Sequence, residues 1–285
     1  MSRYVKTLFR AFVIMTLFSN ACSNKKQQNK TPLEYDLNNP EKFNMPSSLL
    51  EISGISFPKG SKDTMYCIQD EDGKVFRLAW GVKKQTSAKF GKKGDYEDVT
   101  VVKDKVVVLK SDGTLFSFAK ENVAFEVVDN VMEWKDLVPK GEYEGLYGDD
   151  ATGKLYVLCK NCDGDMDADK VSGYILDVND SIHPVSSFSI NVEEIKSFGG
   201  KVKSVFRPSA LAQHPLTREW FILSGTNKLL VVTDENWKVK EVYPLNGNIF
   251  PQAEGIAFDG AGNLFISNEG DDLSDGNILQ FVRPK

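Results

Sequence analysis

The chain has 285 residues, 41% hydrophobic and 26% charged, enough apolar material to bury a large core. A formal charge of −5, with no Lys/Arg stripe interleaved with aromatics, removes the electrostatic case for a nucleic-acid partner. Only two histidines occur, His183 and His214, each preceding a proline; that argues against a His-rich metal site and makes His-based acid–base catalysis a poor fit.

In chain order, Arg3, Lys6 and Arg10 form a basic start before "AFVIMTLF", an apolar stretch too short to span a bilayer. It runs into "SNAC", which resembles a bacterial lipoprotein signal: residues 1–21 would be removed and Cys22 lipidated. Ser19 and Asn20 stand where a leucine and a small residue are usual, so the alternative is an ordinary secretory signal with an incidental cysteine. Residues 22–32 read as a flexible polar tether, and 33–285 as the folded domain. The expected location is the cell envelope, with the domain in the periplasm and membrane contact through the lipid anchor only.

The remainder is an internal repeat. Short strands of small and apolar residues start at Ser53, Glu97, Glu144, Ser209 and Glu254. Each is followed by a polar turn and a very apolar strand: "TMYCI", "KVVVL", "KLYVL", "EWFIL", "NLFIS". A second turn leads to a third strand, "KVFRL", "TLFSF", "GYILDV", "KLLVV" or "NILQF", and fourth strands can be drawn at "AFEVV", "HPVSSFSI" and "KVKEVYPL". Four strands per unit of 40–50 residues predict an all-β propeller of four-stranded antiparallel blades. Three of the spacings are 44, 47 and 45 residues; the fourth, 65, holds one blade plus insertions at "NCDGDMDADKVS" and "NVEEIKSFGGKVKSV", the latter a short helix with a Gly-Gly stop. The count is therefore five blades. The last has three strands after Glu254, and an open edge invites aggregation; an N-terminal strand at "LEYDL", Leu33–Leu37, is expected to close it.

The first strand of a blade lines the central channel, so Ser53, Glu97, Glu144, Ser209 and Glu254 should form a ring. Carboxylates roughly 6–8 Å apart repel by about 2–3 kcal/mol per pair at an effective dielectric near 20. They must share protons, be hydrated apart, or bind a cation. Oxygen donors without His or Cys favour calcium. The expected metal ligands are Glu97, Glu144 and Glu254, with Glu269 from the end of a second strand; Ser53, Ser209 and Asn268 are the accompanying ligand-binding positions. The competing reading is that each glutamate caps a strand or pairs with a lysine. The residues that follow the ring, Gly54, Asp98, Gly145, Ala210 and Gly255, are mostly small and let backbones crowd at the axis. The second-strand ends at 69–71, 111–112, 160–161 and 224–225 would share the same mouth, although such residues also dominate turns.

"DGDMDADK" places Asp163, Asp165, Asp167 and Asp169 like the start of an EF-hand loop, but Ala168 replaces the required glycine and Tyr174 the bidentate glutamate; a solvated loop is expected. Cys159 and Cys162 form a C-x-x-C without a second pair to complete a zinc site. They are either a local disulfide or two idle thiols. Cys67 is expected in the core.

"YEDVTVV", "YEGLYGD", "PSALAQHP" and "AEGIAFDGAGNLFISNEG" resemble the SdiA-regulated family of envelope propellers, distantly NHL-repeat-like, over roughly Leu49 to Pro284. The resemblance implies a five-bladed propeller with bound calcium and no established reaction. Two functions compete. The first is a non-catalytic, monomeric envelope lipoprotein that presents a calcium-stapled face to a ligand or envelope protein. The alternative is a calcium-dependent ester, lactone or phosphate hydrolase. Against the second, the only Asn-Gly is Asn246-Gly247, in a loop, and no G-x-S-x-G occurs.

Overall fold

The computed structural model describes residues 35–59, 61, 64–165, 169–179 and 181–284. The expected signal, Cys22 and the tether lie outside the described residues. After a short N-terminal strand, β1 (Glu41–Asn44), the chain builds four blades in sequence order. The first is β2 (Ile52–Ser56), β3 (Thr64–Gln69), β4 (Lys74–Ala79) and β5 (Thr86–Lys89); the second is β6 (Tyr96–Val102), β7 (Lys105–Lys110), β8 (Leu115–Ala119) and β9 (Met132–Trp134). The third is β10 (Gly141–Asp149), β11 (Lys154–Cys162), β12 (Lys170–Asp177) and β13 (His183–Asn191), and the fourth β14 (Ala210–Gln213), β15 (Trp220–Ser224), β16 (Leu229–Thr233) and β17 (Val239–Pro244). The fifth pairs β18 (Ala253–Phe258), β19 (Leu264–Asn268) and β20 (Asn277–Phe281) with β1, so the two ends of the chain close the ring. Every pairing within the blades is antiparallel.

The second strands are apolar through their middles because both their faces are covered by neighbouring blades. All five residues of β15 and all five of β19 are buried. Five separate apolar cores result, one in each gap between blades; Leu109 and Leu155 meet in the gap between the second and third, and Ile222 and Leu158 in the next. Among the described residues no helix is long and apolar enough to cross a membrane. The helix expected in the long insertion is α1 (Val192–Ser197), capped by Asn191, whose side chain accepts from the Glu193 and Glu194 amides.

Two strand assignments are corrected. The closing strand is Glu41–Asn44, not Leu33–Leu37: Tyr35 and Leu37 are buried in the apolar core between blades four and five. Tyr35 donates to the Gly262 carbonyl at 2.5 Å and its hydroxyl lies 3.0 Å from His214 Nε2, while His214 Nδ1 accepts from the Leu216 and Thr217 amides. Residues 35–37 therefore bury their alternating side chains as a latch instead of pairing as a strand; Leu33 and Glu34 lie outside the described residues. In blade two, "AFEVV" is not the fourth strand. Residues 126–128 run beside β5 of blade one, where the Lys89 amide donates to Glu126 and the Val128 amide to Lys89, and the fourth strand is β9.

β1 presents only Phe43 inward, packed edge-on to Trp80 with ring centroids 5.5 Å apart. Its larger contribution is to occupy the outer edge of β20. A chain beginning at Met45 leaves that edge bare, and light scattering is expected to show association through it, with full-length protein monodisperse under the same conditions.

Candidate metal centre

The first strand of each blade runs from one mouth of the central channel to the other, and residues two apart fall into tiers. At the upper mouth stand Glu51 and Asp95, with Glu142 and Gln252 beside it, bonded to Lys160 and Glu269. Next come Ser53, Glu97, Glu144 and Glu254, with Ser209 at the equivalent position of blade four. Below them Ile55, Val99, Leu146, Leu211 and Ile256 are each no more than 4% exposed. In four blades the pairing with the second strand is interrupted at the ring, between Ile52 and Ile55, Tyr96 and Asp98, Tyr143 and Gly145, and Ala253 and Ile256. An extra residue there bends the strand and re-aims its side chain, which accounts for the recurring glutamate beside a small residue.

The blades are fastened to one another just beneath this point. Ser53 Oγ donates to the Glu97 carbonyl at 2.6 Å, and Ser267 Oγ donates to Ser53 O at 2.7 Å while accepting from the Gly255 amide. Asp98 spans blades two and three: Oδ1 accepts from Val99 N at 2.8 Å and Oδ2 from Leu146 N at 2.7 Å. Gly54 must be glycine, because a Cβ there would sit 2.2 Å from Asp98 Oδ1 and 2.5 Å from its Cα.

Glu97, Glu144 and Glu254 line one upper cavity of about 170 Å³, together with Glu51, Ser53, Asp70, Asp95, Lys160 and Glu269. Seven carboxylates thus face a single lysine. Lys160 binds Glu144 and lies 3.2 Å from Glu142. Burial opposes its charge, but the bonds to those two carboxylates outweigh burial and hold it protonated. Burial, then Glu144 and Asp95, push the Glu97 carboxyl up to about 9. Burial, then Glu144 and Glu269, push Glu254 to about 8. Glu144 is also raised by burial, with Lys160 working against it.

At the rim, oxygens of Glu51, Asp70 and Glu269 all lie within 4.8 Å of one another, a cluster that can hold a metal ion. Lys160, the cavity's one cation, is bonded to the Glu144 side. Asp70 Oδ1 is buried without a hydrogen-bond partner, and burial followed by Glu51 and Glu269 raises the Asp70 carboxyl to about 6. Glu269 is raised by burial and Glu51, opposed by a 2.9 Å bond from Gln252. Asp70 and Glu269 arrive from the ends of β3 and β19, which antiparallel pairing returns to the mouth where β2 and β18 begin. Neither Asp70, noted only as the end of a second strand, nor Glu51 was among the expected ligands. The signal for Glu51 is an acid two residues before the ring position in the blade where the ring residue is serine, a spacing repeated at Asp95 and Glu142.

The remaining sequence candidates lie elsewhere. Ser209 Oγ accepts from the Gly225 amide at 2.9 Å and is outside the cavity lining. Asn268 is fully buried, its amide donating to Asn277 Oδ1 at 3.1 Å, also away from the lining. In the acidic loop, the Asp165 carboxylate is taken up by the Ser172 amide and hydroxyl. Cys159 and Cys162 are joined as a disulfide around Lys160 and Asn161, and Cys67 is a buried free thiol that burial pushes up.

The raised carboxyls carry a pH signature. Without a bound cation, the folded state holds protons on Glu97 and Glu254 that the unfolded chain releases near 4.5. Stability from these groups is complete below that value and is lost as pH rises through about 8 and 9. The melting temperature of chelator-treated protein is therefore expected to fall from about pH 5 to about pH 9, read by differential scanning calorimetry.

A family model described as SdiA-regulated matches residues 34–272. A search of curated protein sequences finds no match. Among solved structures the chain is similar to the Myxococcus xanthus glutaminyl cyclase, with 13% identity, 86% of this chain and 96% of that one covered, and a TM-score of 0.56. It is also similar to a luciferin-regenerating enzyme, with 10% identity, 86% and 95% covered, and a TM-score of 0.52. At such identities the likeness is one of fold.

Proposed function

The chain belongs to the SdiA-regulated family, and from that premise we propose that it is a calcium-binding propeller of the cell envelope, anchored through lipidated Cys22, whose upper mouth receives a ligand or envelope protein without catalysis of its own. One observation carries the reading: Glu51, Asp70 and Glu269 converge within 4.8 Å at the rim of an acidic cavity. Three hard anionic donors, with Asp70 Oδ1 buried and unpartnered, suit a cation that accepts many oxygen ligands, and calcium is the common one. In this reading Glu51, Asp70 and Glu269 hold the ion. Glu97 and Glu254 stand behind it as further carboxylates, and Lys160 offsets Glu144. The bound ion would relieve the mutual repulsion that raises the carboxyls.

Calorimetric titration of chelator-treated protein with calcium, followed by a panel of ester, lactone and phosphate substrates, tests this. Saturable calcium binding with stabilisation and no turnover is the expected result. Calcium-dependent turnover abolished by Glu254→Gln would replace the binding module with the hydrolase, and no calcium binding at all would remove both.

A further inference from the structure

A second site lies on the other side of the Gly91–Asp95 loop, between the outer strands of blades one and two. A cleft of about 750 Å³ opens there, lined by Lys89, Lys92, Lys93, Lys110 and Lys135 against two carboxylates, Asp112 and Glu133. In a chain of net charge −5 this is a local reversal of sign. Three of the lysines are paired: Lys110 with Asp112 at 3.1 Å, Lys135 with Glu133 at 3.0 Å, and Lys93 with Glu71 at 2.8 Å. Lys89 and Lys92 meet no carboxylate among the described residues. Their wall is apolar: Phe116 and Val128 are in the lining, and so is Val127, which is 61% exposed. The same segment leaves Phe125 62% and Met132 54% exposed, a grouping that marks a binding surface more often than scattered single residues do.

The cleft is also preorganised. Tyr96 donates from its hydroxyl to the Lys92 carbonyl at 2.9 Å, and the Phe90 and Gly91 amides both donate to the Gly73 carbonyl. The backbone carrying Lys92 is thus held in place before any ligand arrives. Its volume is that of a small-molecule site. Ammonium groups are compact charges that meet phosphate or carboxylate from many directions.

We propose that this cleft is a binding site for an organic anion, a phosphate or carboxylate group borne on an apolar body. The free ammonium groups of Lys89 and Lys92 take the anionic end and the Phe116–Val127 wall takes the apolar one. The site is separate from the acidic mouth and does not require the metal.

The test is isothermal titration of the full chain in calcium-free buffer with monohexyl phosphate, inorganic phosphate, and phosphatidylglycerol–phosphatidylcholine vesicles. Monohexyl phosphate is expected to bind saturably at one site, about tenfold or more tighter than inorganic phosphate. Lys89→Glu with Lys92→Glu, both on exposed positions, should weaken it about tenfold or more while leaving the melting temperature unchanged. Val127→Asp should weaken monohexyl phosphate and leave inorganic phosphate as it was. Equal affinity for the two phosphates overturns the proposal, as does indifference to the lysine reversals. Binding to vesicles without binding to monohexyl phosphate overturns it in favour of a lipid surface.

Discussion

Replacing Asp70 with asparagine is expected to abolish the calcium-dependent rise in melting temperature. A ligand at about a hundred times its Kd stabilises the folded state by about 2.7 kcal/mol, or about 5–11 °C for a domain of this size. Asp70 stands between Glu51 and Glu269 and carries the buried oxygen that lacks a partner. The amide keeps the shape and removes one of three charges, so binding should fall steeply. In chelator-treated protein the same change acts the other way. Burial and the two neighbouring glutamates raise the Asp70 carboxyl to about 6, so above that value its charge opposes folding, and asparagine should raise the melting temperature. Thermal scans with and without calcium at neutral pH read both signs together. A variant that responds to calcium as the wild type does would take the ion away from the rim.

Asp98→Ala is expected to be the most damaging single change at the axis. The carboxylate is 4% exposed and accepts from two amides, one on its own strand and one on β10 of the next blade. Each buried amide left without an acceptor costs roughly 1–3 kcal/mol, so the loss is about 2–6 kcal/mol, a large share of the 5–15 kcal/mol typical of a domain. Urea unfolding should show a lower midpoint with an unchanged slope. Asp98→Asn, which keeps one accepting oxygen, should fall between. A loss for Asp98→Ala below about 1 kcal/mol would mean that water or a relaxed backbone satisfies those amides. Burial raises the Asp98 carboxyl even though both amide bonds oppose it, so its contribution weakens as pH climbs.

The blade count was legible because each blade meets the same requirement: an inner strand of small residues, a second strand buried on both faces, and turns between. Repetition at 44, 47 and 45 residues is the direct trace of that geometry. The outermost strands were not legible. β1 carries a single inward residue, Phe43, among three polar ones, while Tyr35 and Leu37 alternate convincingly and are spent on an inter-blade core. In blade two, residues 126–128 pair across to blade one, a contact that no local pattern records. For the candidate site, recurrence alone marked Glu97, Glu144 and Glu254, since equivalent positions in a closed ring must face one axis. Glu51 went unread because it does not repeat as a glutamate: the tier two residues before the ring mixes Glu, Asp, Arg and Gln. Ser209 and Asn268 were expected to share the ligand position, but Ser209 Oγ accepts from the Gly225 amide and the Asn268 amide donates to Asn277, and neither residue lines the acidic cavity.

The apolar tier of Ile55, Val99, Leu146, Leu211 and Ile256 lines a second cavity, of about 280 Å³, that shares no lining residue with the acidic one. It gives the acidic cavity an apolar floor. In the proposed role, an ion at the rim would meet only apolar side chains on that floor, so its residence time would be decided where Glu51, Asp70 and Glu269 meet bulk water. Anything seated across that rim would trap the ion.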